Sequence, residues 1–186
     1  MHNAGIQIVI IDVLCSWYSK LSFTDRWNSA VSDPFVAGSG VRQGSCLSPA
    51  IFNVFINVLI LQIKKLNIGC RVSGMFLGCL LYADDIILLS PSVTDLQEML
   101  DTCYGVACNA SLQFNVSKCH CLVVGKMHKF AISPMSLAGQ EIKWCDQIKY
   151  LGIYLARGRT LKFDVNLLKR SFYAACITQY FLTVTE

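Results

Sequence analysis

Apolar positions along this chain follow two rhythms, one of helices and one of strands. Between Gly5 and Lys20, apolar residues at Ile6, Val9, Ile10, Val13, Leu14 and Trp17 recur at helical spacing, which predicts a helix with one face inward. A second helix is expected from Ser48, as N-cap, through Pro49 in its first turn to about Asn67, closed by Gly69. A third follows Pro91, capped by Ser92 or Thr94, with Thr94 and Gln97 as a capping box and Leu96, Met99, Leu100, Cys103 and Val106 as its stripe. Leu161–Leu182 reads as a fourth, with Phe163, Leu167, Leu168, Phe172 and Tyr173 inward.

Strand rhythm appears elsewhere. Ser22–Trp27 and Phe35–Val36 suggest a short hairpin around Ser32-Asp33-Pro34. Trp27 could stack on a base, but a core position is the expectation. His120–Val124 and Tyr150–Leu155 read as buried strands, and Gly158 breaks the chain after the second. Ser133-Pro134 and Ala138-Gly139 are turn signals framing a small hairpin that packs Ile132, Leu137, Ile142 and Trp144. No internal repeat, low-complexity tract or linker interrupts the 186 residues, a length that suits one domain of ordinary size.

Hydrophobic residues make up 54% of the chain and charged residues only 15%, a high ratio for an independent soluble domain. No stretch supplies the ~18 uninterrupted apolar residues of a spanning helix. Asp84 and Asp85 break Leu80–Leu89, and Asn53, Asn57 and Gln62 break Ile51–Ile63, so a core piece of something larger is expected rather than a membrane protein. The N-terminal apolar run lacks a preceding Lys or Arg and contains Gln7 and Asp12, so it does not read as a signal peptide. A cytoplasmic or nuclear location is expected.

The net charge of +4 permits contact with a phosphate backbone without demanding it. A modest basic cluster at Arg157, Arg159, Lys162, Lys169 and Arg170 reads equally well as a solvated helix face. The ten cysteines are scattered, mostly among apolar neighbours, which argues against a disulfide framework and for reduced, partly buried thiols. Cys119-His120-Cys121 is the one cluster, and alternation along a strand explains it more simply than zinc.

Candidate chemistry sits in two places. Gly38, Gly40 and Gly44 let the backbone approach a ligand closely. Arg42, Gln43 and Ser45 add side-chain donors, and Arg suits a phosphate through its planar fork. A glycine-rich loop can simply turn the chain, but because this one leads directly into a helix N-terminus, an anion site is the expectation. The second place is Gly78–Ser90, GCLLYADDIILLS, where two short apolar runs flank Ala83-Asp84-Asp85. It predicts a tight hairpin with buried flanks and two carboxylates at its tip. Adjacent like charges call for a cation, and hard oxygen ligands suit Mg²⁺.

In order along the chain, GVRQGSCLSP at Gly40–Pro49, AIFNVFIN at Ala50–Asn57, YADD at Tyr82–Asp85, LQFNVSK at Leu112–Lys118 and YLGIYL at Tyr150–Leu155 resemble the reverse transcriptases of non-LTR (LINE-like) retrotransposons. The resemblance implies an α+β fold: a palm-like antiparallel sheet packed on helices, incomplete, with the start of a thumb-like region. Residues 1–157 would be palm and 158–186 thumb. It implies an RNA-directed DNA polymerase working by two metal ions, Mg²⁺ or Mn²⁺, on an RNA template, a DNA primer and dNTP. Asp84 and Asp85 would be metal ligands. Arg42, Gln43, Gly44, Ser45 and Tyr82 would contact nucleotide or template. Lys118 would protonate the pyrophosphate leaving group.

The family supplies a further metal-binding aspartate in a pattern like AFDxV, and this sequence has no such segment. By its motifs, it begins just after that strand and after the fingers. Asp12, in a helix, and Asp25, in a turn, are poor substitutes. The expectation is a chain inactive alone and only marginally stable, with an open sheet edge prone to aggregation. The alternative is a non-catalytic nucleic-acid-binding remnant.

Overall fold

Helical spacing becomes helices, but burial does not follow automatically. A computed structural model describes residues 5–36, 40–42, 44–110 and 112–184, the side chains of 167 and 178–184 apart. Its four α-helices, among the described residues, are α1 (Ile8–Tyr18), α2 (Ser48–Lys65), α3 (Val93–Asn109) and α4 (Asn166–Val184). None of them is long and apolar enough to cross a membrane. The chain divides into two units: Met1–Asn67 with Cys79–Ile87, and Ile68–Gly78 with Leu88–Glu186.

In the first unit, α1 forms as its spacing predicts, yet buries no residue: Ile8, Val9, Ile10, Val13 and Trp17 are all exposed. The expectation of an inward face is corrected here, because amphipathic spacing specifies a helix without supplying a partner to cover it. β1 (Arg26–Trp27) and β2 (Ala30–Val31) pair antiparallel, and a bridge joins Phe23 to Phe35. The hairpin is real, but its turn lies at Asn28-Ser29, with Asn28 at φ 56°, not at Ser32-Asp33-Pro34. Asn tolerates the left-handed region, and Pro34 is left outside the turn. Trp27 is 81% exposed, so it is no core residue. α2 does bury a stripe, Ile56, Leu59 and Ile63. Asn67, at φ 58°, takes the left-handed position at its C-terminus, two residues before Gly69.

The second unit pairs β3 (Arg71–Val72) antiparallel with β4 (Met75–Phe76) and holds a core of Cys121, Met135, Leu137 and Ile142. β7 (His120–Leu122) lies parallel to β9 (Gln140–Cys145), and β8 (Met135–Leu137) lies antiparallel on the other side of β9. Ala138 and Gly139, at φ 54° and 74°, make the tight turn between β8 and β9 that their identities predict. Leu96 and Leu100 of α3 pack on this core, and Met99, Cys103 and Ala107 are buried. Ser92 caps α3 by accepting from the Asp95 N–H at 3.3 Å. Gln97 is therefore no capping-box partner. Its amide is turned to β8 instead, donating to Ser136 O and accepting from Ser136 N, both at 2.9 Å.

Two further predictions are corrected. The expected Tyr150–Leu155 strand is a hairpin, β10 (Gln147–Tyr150) and β11 (Ile153–Ala156), turning at Leu151 and Gly152 with φ 47° and 82°. Apolar residues on both sides of the glycine disguise the turn as one run. The fourth helix begins only at Asn166, after β12 (Lys162–Asp164) pairs with β11. Phe163, Leu168, Phe172 and Tyr173 are exposed rather than inward. In place of one extended antiparallel sheet there are five small ones of two or three strands among the described residues, one of them mixed.

Candidate functional site

Gly40 and Gly44, at φ 100° and 83°, bend the chain into the start of α2. Between them Arg42 uses its backbone carbonyl twice, accepting from Ser45 N at 3.3 Å and from Ser48 Oγ at 2.6 Å. Ser48 is 5% exposed and is the first residue of the helix, not its cap. Its hydroxyl reaches back to the loop, whereas Ser45 Oγ accepts from Leu47 N at 3.3 Å just ahead of the helix, which has no side-chain cap. The loop is thus fastened to the helix by backbone and serine groups, leaving the Arg42 guanidinium on an exposed residue. Gln43 and Gly38 lie outside the described residues.

Ser48→Ala removes the shorter of the two bonds that the Arg42 carbonyl accepts, leaving it only the Ser45 N–H at 3.3 Å. We expect a loss of about 1–2 kcal/mol, read as a lower urea midpoint by circular dichroism. An unchanged midpoint would mean that the loop holds itself.

The loop forms one wall of a cleft of about 340 Å³, to which Arg42, Gly44, Ser45 and Cys46 contribute. Trp17, Tyr18 and Leu21, at the end of α1 and just beyond, form the other. The two aromatic rings meet edge to face, with centroids 5.7 Å apart. A cleft of this size suits a small ligand or part of a nucleotide. An aromatic wall facing a guanidinium can stack a planar group and pair an anion at once. Helical spacing alone predicts Trp17 as an inward, packed residue. The signal that could have placed it and Tyr18 here is the WY pair at the end of a helix with no buried face.

β5 (Cys79–Tyr82) and β6 (Asp85–Leu88) form the acidic hairpin. Its two-residue connection is Ala83-Asp84, so Asp84 sits in the turn and Asp85 opens β6. Ala83 adopts φ 51°, a conformation that costs an L-residue about 1–2 kcal/mol. Both aspartates are exposed, and Tyr82 is 62% exposed. The flanks are half-buried at best: Leu80 and Leu89 are exposed, and burial alternates along β5. The expectation of buried flanks is corrected accordingly, since a two-stranded sheet leaves one face of each strand open. Tyr82, Asp84 and Asp85 do not line the cleft. Burial pushes the Cys79 thiol up to about 11, against the opposing charge of Lys64.

Lys118 belongs to the second unit, where it ends a 3-10 turn, Val116–Lys118, just before β7. It is exposed, and its carbonyl lies 2.9 Å from His120 Nδ1. Cys119-His120-Cys121 alternates as a strand should, with His120 exposed and Cys121 buried. Burial first, then the neighbouring thiols of Cys119 and Cys145, pushes Cys121 up to about 11. No disulfide joins the cysteines, and four of them, Cys15, Cys46, Cys108 and Cys176, are exposed rather than partly buried. Among the described residues no three His, Cys, Asp or Glu side chains gather as a metal site.

Asp84 and Asp85 are hard oxygen donors on an exposed turn. They fit Mg²⁺, which takes one or two carboxylates and completes its shell with water and substrate phosphate.

The profile of the reverse transcriptase (RNA-dependent DNA polymerase) family matches residues 6–155. The chain is 30% identical over 137 residues to the retrovirus-related Pol polyprotein of the type-1 retrotransposable element R2 from Nasonia vitripennis, covering 69% of this chain and 13% of that relative. It is 30% identical over 144 residues to the corresponding type-2 element R2DM polyprotein of Drosophila melanogaster, covering 73% of this chain and 13% of the relative. To the transposon TX1 149 kDa protein of Xenopus laevis it is 28% identical over 158 residues, or 83% of this chain and 12% of the relative. It therefore spans only 12% to 13% of the length of these curated relatives. The match runs from the exposed helix α1 through the arginine loop and the acidic hairpin to β11, and on that ground the chain belongs to the reverse transcriptase family of non-LTR retrotransposons.

Proposed function

We propose that this chain is the palm portion, residues 1–157, with the start of a thumb, residues 158–186, of an RNA-directed DNA polymerase. The observation that carries the reading is the arginine loop. The segment that resembles the family's nucleotide and template contact is hydrogen-bonded to the start of α2 through Ser48, and its Arg42, Gly44 and Ser45 wall a cleft of about 340 Å³. In this reading Arg42 pairs a phosphate, Gly44 and Ser45 line the same cleft, Gln43 contributes a further contact by its place in the motif, and Trp17 offers a stacking face to template or nucleotide. Tyr82 supports the nucleotide from the hairpin. Asp84 and Asp85 hold Mg²⁺, or Mn²⁺ in its place, whose charge lowers the barrier to nucleotidyl transfer when bound. Lys118 delivers a proton to the departing pyrophosphate.

A second reading, a nucleic-acid-binding remnant without polymerase activity, is favoured by one observation. The hairpin offers two carboxylates where a two-ion reaction needs several, and no third joins them among the described residues. Both readings meet in one experiment. The purified chain is given an RNA template, a DNA primer, dNTP and Mg²⁺. We expect binding to primer–template without extension. Extension that requires dNTP and Mg²⁺ would show the two carboxylates to be enough. Failure to bind primer–template at all would remove both readings.

A further inference from the structure

Several of this chain's cations lie around one joint. Val124 bridges to Gly158, and Gly125 N donates to Gly158 O at 2.9 Å. That bridge ties the 3-10 turn Lys126–Lys129 to the segment leading into β12. Arg157 fastens the two together. Its Nε donates to His128 O and its Nη2 to Phe130 O at 3.1 Å, while Nη1 pairs with Asp146 at 3.3 Å. Arg157 is thereby committed to structure, its charge matched by Asp146.

The cations around this joint are not tied down in that way. Lys126 and Lys129 are exposed on one side of it, and Arg159 and Lys162 are exposed on the other. Lys126 and Arg159 directly follow the hydrogen-bonded pair Gly125 and Gly158. Lys162 folds back over Gly158: its Cε and Cδ lie 3.8 and 4.0 Å from where a Cβ on that glycine would stand. Of the nearby carboxylates, Asp146 is paired with Arg157, while Asp164 accepts from the Asn166 N–H at 2.9 Å and keeps its charge.

We propose that Lys126, Lys129, Arg159 and Lys162 form a second nucleic-acid contact, one that grips the phosphate backbone without reading bases. It rests on the polymerase reading for its choice of ligand, and it goes beyond that reading because none of the four lines the cleft or belongs to the acidic hairpin. A phosphate backbone fits what is present: four exposed, flexible or forked donors around one joint, with Asp146 already paired to Arg157. Exposed Met127 and Phe130 on and beside the same turn add surface on which an unstacked base can lie.

The test compares two quadruple variants of the whole chain: the patch variant K126Q/K129Q/R159Q/K162Q and a control, K20Q/K64Q/K65Q/K143Q, which removes the same charge elsewhere. Binding to a fluorescent single-stranded RNA, and separately to an RNA–DNA duplex, is titrated over a salt series. For single strands the patch variant is expected to lower the steepness of log K against log salt by roughly 0.7 for each phosphate it no longer neutralises, near 3 for all four. Affinity at ~0.1 M salt should fall about tenfold or more. The control should keep most of the slope, and circular dichroism should be the same for all three proteins. Equal losses in both variants would reduce the effect to net charge and overturn the proposal. So would a patch variant with an unchanged slope, or an unmodified chain that binds neither nucleic acid. An additional R42A variant separates the two sites. If R42A binds normally while the patch variant does not, the cleft reading fails and the patch stands. The reverse result leaves the cleft and removes the patch.

Discussion

Replacing Asp84 or Asp85 by asparagine is expected to lower Mg²⁺-dependent primer extension by roughly 10³-fold, the scale on which removing one well-placed charge-stabilising group acts. The measurement needs a complete polymerase. Residues 6–155 of this chain can replace the matched segment of an R2 relative. Asparagine keeps the volume and one oxygen but removes the charge that draws a hard cation. Primer–template affinity should change little, because phosphate pairing elsewhere carries it. Asp12→Asn and Asp25→Asn are the controls. Asp12 lies on exposed α1 and Asp25 beside the β1–β2 hairpin, and neither should matter. A second measurement needs no polymerase at all. Mn²⁺ added to the isolated chain should broaden the amide resonances of residues 83–86, and the double asparagine variant should abolish the broadening. Extension that survives within tenfold, or broadening elsewhere only, would remove the metal role from this hairpin.

Gly69→Ala is expected to be among the most damaging single substitutions in the second unit, costing about 2–4 kcal/mol from a strained φ together with a displaced backbone. Gly69 stands at φ +89°, where a side chain is strained. A Cβ there would also meet Gly78 Cα and Leu89 O, each at 3.2 Å, and Met99 Cε at 3.3 Å. Met99 can swing away, but the other two are backbone. They belong to a short hydrogen-bonded junction: Cys70 N donates to Leu89 O at 2.9 Å and Leu89 N to Gly78 O at 2.8 Å. Gly78 and Leu89 immediately precede and follow the acidic hairpin in the chain. A substitution at Gly69 should therefore both lower the denaturation midpoint and loosen the base of the hairpin, raising amide exchange at Cys70 and Leu89. Gly74→Ala is the comparison. It shares a positive φ, at +81°, but has nothing within 4 Å, so it should cost about 1 kcal/mol. Equal effects at the two glycines would show that close approach contributes nothing.

Much of the local structure was legible. Ser48–Pro49 marked the start of α2, Ser92 the start of α3, Ala138-Gly139 the β8–β9 turn, and Tyr82–Asp85 the hairpin. These signals depend on neighbours within a few residues, through side-chain caps, fixed φ and turn geometry. The YLG turn was missed because Leu151 takes a left-handed conformation that nothing about leucine announces. The motif segments also pointed to the family.

What lies beyond local reach was decided by tertiary structure alone. Spacing made α1 a helix but could not say that its apolar face would stay open, since burial requires a surface from far along the chain. Arg157, which the linear sequence grouped with Arg159 and Lys162, became a fastener to His128 and Phe130, while Lys126 and Lys129 took its place among the exposed cations. Trp17 and Tyr18 joined Arg42 across a cleft although 24 positions separate Tyr18 from Arg42 in the sequence. Charge and aromatic chemistry act through space, and only the folded backbone sets which groups share it.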